Sequence, residues 1–226
     1  MQFFRGLARN NNRDWFLPRK TIFEEKVKQP MRELVEVVNA GMKAYAPDHV
    51  TEPDKAIYRF YRDTRFSKDK TPYKDRIAAT FPRRGLSRHE GGSYYFAVSN
   101  KQVAIGGGVY MPMPETLQAI RQQIAKHPEE LQRLMNLKAT KKLYGEMQGE
   151  QLSRAPKGFA PDHPAADLLR YKQFLFYVEL GPEIASTKEI ASIIGQHFRA
   201  IAQFVDFLNA PFAEKKKKLD VRELFV

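Results

Sequence analysis

Between residues 57 and 109 the sequence passes through four short segments, Ile57–Tyr61, Ile77–Phe81, Tyr94–Ser99 and Gln102–Val109. Each is rich in β-branched or aromatic residues and is bounded by Gly, Pro, Asn or charged turns, so they read as sequentially connected antiparallel strands. Asn100-Lys101 joins the last two with a connection of hairpin length. A fifth segment, Phe174–Leu180, is apolar except for Glu179 and is stopped by Gly181-Pro182. Helical spacing surrounds these strands. Over Asn10–Met42, residues Phe23, Val27, Met31, Leu34, Val38 and Met42 recur every three or four positions, with Pro18 early and Pro30 expected to kink or divide the helix. Glu115–Lys126 carries Leu117, Ile120 and Ile124 on one stripe, and helix resumes after Pro128. Ile190, Ile194, His197, Ile201, Val205 and Leu208 share a stripe that Pro211 ends, whereas residues 149–166 read as an irregular loop. This order predicts an α+β fold: a mostly antiparallel sheet of about five strands packed against N-terminal and C-terminal helices. With no internal repeat and no low-complexity linker, residues 1–226 are expected to form a single domain.

Composition narrows the chemistry. The 226 residues contain no Cys, which excludes a thiol nucleophile, a disulfide scaffold and Cys-ligated metal centres. The longest apolar run, Phe174–Val178, falls far short of the roughly 20 residues that span a bilayer. No apolar signal core opens the chain, so no membrane association and a cytoplasmic location are expected. The net charge of +12 is concentrated: eleven Lys/Arg face three Asp between Lys55 and Arg88, a local +8. A second cluster, Lys215–Lys218, suits either a solvated face or a nucleic-acid patch.

Tyr58–Lys74 leaves a strand for a loop while interleaving cations with Tyr, Phe and hydroxyl residues. Guanidinium forks recognise phosphate or carboxylate, and hydroxyls and backbone amides complete such sites. The candidate ligand-binding residues here are Arg59, Arg62, Arg65, Ser67, Lys68, Lys70, Tyr73 and Lys74. The competing reading is a solvated edge in which Asp63, Asp69 and Asp75 pair locally with neighbouring cations, each pair contributing little.

Four blocks, Asn10–Phe16, Tyr61–Lys74, Gly106–Pro112 and Pro156–Lys172, together resemble the family catalogued as domain of unknown function 2461. The resemblance implies a one-domain cytosolic protein. It carries no established activity, ligand or catalytic residue to any position.

Gly106, Gly107 and Gly108 lack the Gly-Lys-Ser/Thr that completes a phosphate loop. They permit close packing against another backbone or approach of a ligand, and on the second reading Gly107 and Gly108 join the site. Trp15, the single tryptophan, is either a core anchor or a stacking wall. In the loop Pro156–Lys172, Arg170 is a further anion contact and His163, beside Asp162, a candidate general base. Its simpler reading is an exposed histidine with Asp162 capping the following helix. Glu179, the one charge in an apolar strand, is a second catalytic candidate and, if buried, would need Arg59 or Arg62. The five His show no metal-ligand spacing, so no metal is expected and no cofactor is implied.

No nucleophile elbow, metal box or phosphate loop decides whether the protein is an enzyme. The leading expectation is a pocket for an anionic, phosphate- or carboxylate-bearing small molecule. A nucleic-acid-associated protein and a non-catalytic module for an acidic protein use the same cations. The sequence does not fix the oligomeric state.

Overall fold

Ser99 shows how the sheet turns. Its hydroxyl accepts from the amides of Lys101 and Gln102, both at 3.1 Å, while Ser99 N donates to Gln102 O at 3.0 Å. This closes the expected Asn100-Lys101 hairpin. In the computed structural model, which describes residues 2–213, the strands are β1 (Arg76–Pro82), β2 (Ser93–Ser99), β3 (Val103–Val109) and β4 (Phe174–Leu180). They form one antiparallel sheet in the order β1-β2-β3-β4. The class is α+β as expected, but the sheet has four strands rather than five.

The missing strand is Ile57–Tyr61, which makes only isolated bridges, Ile57 with Ala79 and Tyr61 with Tyr73. Tyr58 N donates to Ala78 O, whereas Arg62 N donates to Pro72 O. Lys74 N donates to Phe60 O on the other side of the second bridge, but from Ile57 to Tyr61 is four residues while from Tyr73 to Ala79 is six, so the register slips between the two bridges and no continuous ladder forms.

The described residues fall into two compact units, each assembled from three segments: residues 2–81, 95–105 and 179–196, and residues 82–94, 106–178 and 197–213. The first unit has an aromatic core. Phe23 stacks on Phe60 at 4.4 Å, and Phe16 approaches Tyr73 at 4.2 Å. A helix over Gln2–Arg9, unmarked by any long periodicity, adds buried Phe3, Phe4 and Leu7. The N-terminal helical region is divided more than expected: Arg13–Phe16, a 3-10 turn at Leu17–Arg19, Lys20–Phe23, a π turn at Glu24–Lys28, then Gln29–Met42. The π turn ends just before Pro30, the residue that cannot supply the next α-helical donor.

In the second unit, the helices Pro114–Lys126, Pro128–Met135 and Lys138–Tyr144 follow β3. The final helical stripe is two helices, Ile190–Ala200 and Ala202–Asn209. At the break, Thr140 donates its hydroxyl to Ala200 O at 2.7 Å and so satisfies a carbonyl released from the helix. His197 is buried edge-on to Tyr144, 5.3 Å between centroids, as a core residue. No helix among the described residues is long and apolar enough to cross a membrane. Lys215–Lys218 lies outside the described residues.

Candidate functional site

The basic loop is pinned at both ends by rings that point inward. Phe60 and Tyr73 are buried and stack on each other at 5.5 Å, while Tyr61, the next residue, is half exposed. Tyr73 therefore belongs to the core, and burial pushes its phenol pKa up. Asn11 fixes the same point: its side-chain amide donates to Tyr73 O at 2.9 Å and accepts from Tyr73 N at 3.1 Å. The Asn-rich start thus ties the N-terminal region to the loop exit through both backbone groups of one residue. Asn12 plays a different part and caps the Arg13–Phe16 helix by accepting from Trp15 N at 2.9 Å.

Within the loop the acids organise the cations. Asp63 takes a fork from Arg65, at 3.0 Å to Nε and 2.7 Å to Nη2, and its pKa falls to about 2, chiefly through that side-chain contact. Arg59 approaches the same carboxylate at 4.0 Å. Asp69 accepts from Thr71 N at 2.9 Å and from the Thr71 hydroxyl at 2.8 Å, and it also pairs with Arg62. Its pKa is likewise lowered to about 2, with the Thr71 amide the largest cause and Arg62 next. Arg62 additionally reaches the Thr71 hydroxyl. Lys70 donates to Thr64 O at 3.0 Å, and Ser67 N donates to the same carbonyl at 3.3 Å. Lys74 lies over the Tyr58 ring at 5.0 Å, and Lys68 is exposed.

The result is a braced loop with an open outer face. Phe66 is 95% exposed, and the Arg65 guanidinium lies 5.7 Å from its ring centroid. Arg59, Tyr61, Arg65, Lys68 and Lys70 are exposed beside it in sequence. Phe66 was not among the residues singled out. An aromatic flanked by cations between two turns is the signal that could have found it.

Gly107, Gly108 and Arg170 belong to the second unit. The space beside the two glycines is filled by protein. A Cβ on Gly107 would stand 2.7 Å from Ile201 Cδ1 and 3.0 Å from Ser93 O. On Gly108, with φ +126°, it would run into the Phe174 carbonyl. These contacts are what close backbone packing requires. Arg170 pairs with Asp167 at 3.1 Å.

Trp15 is half-buried: it contacts Phe3 at 5.6 Å and carries Arg19 over its outer face at 4.7 Å. Gly6 leaves room for it, since a Cβ there would come within 2.7 Å of the indole. His163 accepts from Ala165 N through Nδ1 at 3.0 Å, so the histidine rather than Asp162 satisfies the turn before the Ala166–Leu169 helix. Glu179 is exposed, which removes the burial that would have demanded a cation, and the loop arginines Arg59 and Arg62 have Asp63 and Asp69 as ion-pair partners. Among the described residues no group of three or more His, Asp or Glu could hold a metal ion.

No curated protein and no solved structure matches the chain. One family does, over residues 1–207, and its description is a conserved hypothetical protein. Because that match takes in the helical N-terminus, the basic loop, all four strands and most of the last helix, the chain belongs to the DUF2461 family.

Proposed function

We propose that the loop of residues 59–74 is a binding surface for a phosphate polyanion, with single-stranded nucleic acid as its ligand class. The carrying observation is Phe66, a fully solvated ring held among cations on a loop whose ends are anchored in the core. Unstacked bases stack on such rings with little sequence preference, and Lys and Arg beside them neutralise the backbone. Tyr61 offers a second, half-exposed ring. Arg59, Lys68 and Lys70 supply phosphate contacts, while Arg62 and Arg65 brace the loop through Asp69 and Asp63.

Enclosure of a small phosphate- or carboxylate-bearing molecule uses the same cations. It is the less favoured reading, because the two arginines best suited to fork an anion already fork or bond acids of their own loop. A cytoplasmic location, where nucleic acid is accessible, belongs to the same proposal. The test is fluorescence anisotropy of a labelled oligothymidylate titrated at several salt concentrations. Salt-sensitive binding that weakens at least fivefold in Phe66→Ala supports the surface. Wild-type protein that shows no salt-dependent binding overturns it.

A further inference from the structure

Arg121 lies in the middle of the helix Pro114–Lys126 and is 8% exposed. A guanidinium carries five N–H donors and is charged at any accessible pH. Among the described residues Arg121 makes one hydrogen bond, from Nη2 to Tyr171 O at 3.0 Å, and its Nε is buried without a partner there. None of the ion pairs among the described residues includes it, and burial lowers its pKa with no carboxylate acting in the other direction. A buried cation in this state is costly, because a single neutral carbonyl replaces only part of its hydration.

A second arginine repeats the pattern one residue away from that carbonyl. Arg170 follows the short helix Ala166–Leu169, which packs against Pro114–Lys126, and its Nε is also buried and unbonded. Its one carboxylate partner among the described residues is Asp167, itself 90% exposed and well hydrated. About a third of the Arg170 side chain still reaches water. The backbone around them is firmly held: Leu152 N donates to Arg170 O, and Lys172 N to Glu150 O, both at 2.8 Å. The nearby acid Glu150 is taken by Lys172 at 3.2 Å. Thus two guanidiniums retain unused donors on a fixed frame, and the local acids are either solvated or engaged elsewhere.

We infer that Arg121, with Arg170 as its more accessible neighbour, is the receptor for the carboxylate of a small molecule. A carboxylate supplies the charge and the acceptor lone pairs that this group lacks, and charge-assisted bonds of this kind are about twice as strong as neutral ones. The depth of Arg121 restricts the ligand to a small one; a macromolecular acidic surface does not reach a side chain this enclosed. The basic loop belongs to the other unit.

The test uses the full chain, with acetate, succinate and citrate as probes at constant ionic strength, read by thermal shift and calorimetric titration. At least one probe gives a saturable rise in Tm, and its apparent Kd weakens at least tenfold in Arg121→Gln while remaining unchanged in Phe66→Ala. Without ligand, Arg121→Met melts at or above the wild-type temperature, because an apolar chain of similar length removes the unpaired charge. The assignment is overturned if no probe gives a saturable shift or if Arg121→Gln keeps the wild-type response. It is also overturned if Arg121→Met melts well below wild type or fails to fold, since the guanidinium would then be a structural element. Because the anisotropy experiment reads the loop alone, failure of either proposal leaves the other standing.

Discussion

Asn209 closes a two-bond ring on Gly92: its Oδ1 accepts from Gly92 N at 2.8 Å and its Nδ2 donates to Gly92 O at 3.0 Å. The amide acts as a one-residue strand partner for a buried peptide 117 positions away. Asn11 does the same for Tyr73 and Asn39 for Thr51, so three asparagines use one device at three places. Truncating Asn209 would strand two buried backbone groups at once. Asn209→Ala is therefore expected to cost about 2–4 kcal/mol in urea denaturation. A loss below about 1 kcal/mol would mean that water replaces the amide.

The glycines divide by what surrounds them. Gly108 combines φ +126° with a carbonyl where its Cβ would be, so Gly108→Ala is expected to lose about 3 kcal/mol or more. Gly41 lies on the exposed side of the helix Gln29–Met42, with nothing within 4 Å of an added Cβ. There Gly41→Ala is expected to gain about 0.5–1 kcal/mol, because it removes unfolded-state freedom at no steric cost. Paired denaturation curves check both signs. Equal effects would contradict the packing described for β3.

Much of the architecture was legible because period decides it. The segments that became β1 to β4 alternate or run apolar between clear breakers, and the helices after Pro114 and Pro128 show their stripes. The segment Ile57–Tyr61 misleads because it has strand composition, while its failure to form a ladder depends on the two extra residues between Tyr73 and Ala79 in the segment it meets. The asparagine rings were invisible for a similar reason: Asn reads locally as a turn residue, and its partner is set by the tertiary fold. Arg121 did leave a trace. It occupies the third place of the spacing Leu117, Ile120, Arg121, Ile124 in which the other three are apolar. A charge on that face is a buried charge.

Acid should loosen the basic loop before it affects the cores. Asp63 and Asp69 both have folded pKa values of about 2, below the ordinary 3.8. A depressed carboxylate contributes order that is fully present above its unfolded pKa and is lost as pH falls through the folded value. The window is thus from about pH 4 down to about pH 2. Carboxylate NMR titration is expected to show both groups low in wild type, with Asp63 returning toward 3.8 in Arg65→Ala, since Arg65 is its main cause. Both groups are exposed, so the change should register in the loop rather than in Tm. An unshifted Asp63 in wild type would refute the fork.

The same acids set the affinity of the proposed surface. Asp69 holds Arg62 and caps Thr71 N, whereas Asp63 holds Arg65 and accepts from Arg65 N at 3.2 Å. In the double variant Asp63→Asn with Asp69→Asn, the amide oxygens can keep both backbone caps while the charges that engage the guanidiniums disappear. Arg62 and Arg65 then become available to phosphate. Oligothymidylate is expected to bind several-fold more tightly, with a salt slope steeper by about 0.7 for each new phosphate contact. A small-molecule pocket makes no such demand on the salt slope, since a single anion engages the loop once. Unchanged affinity at unchanged slope would show that the two arginines never meet the polyanion, and weaker binding would show that their pairing with Asp63 and Asp69 creates the binding surface.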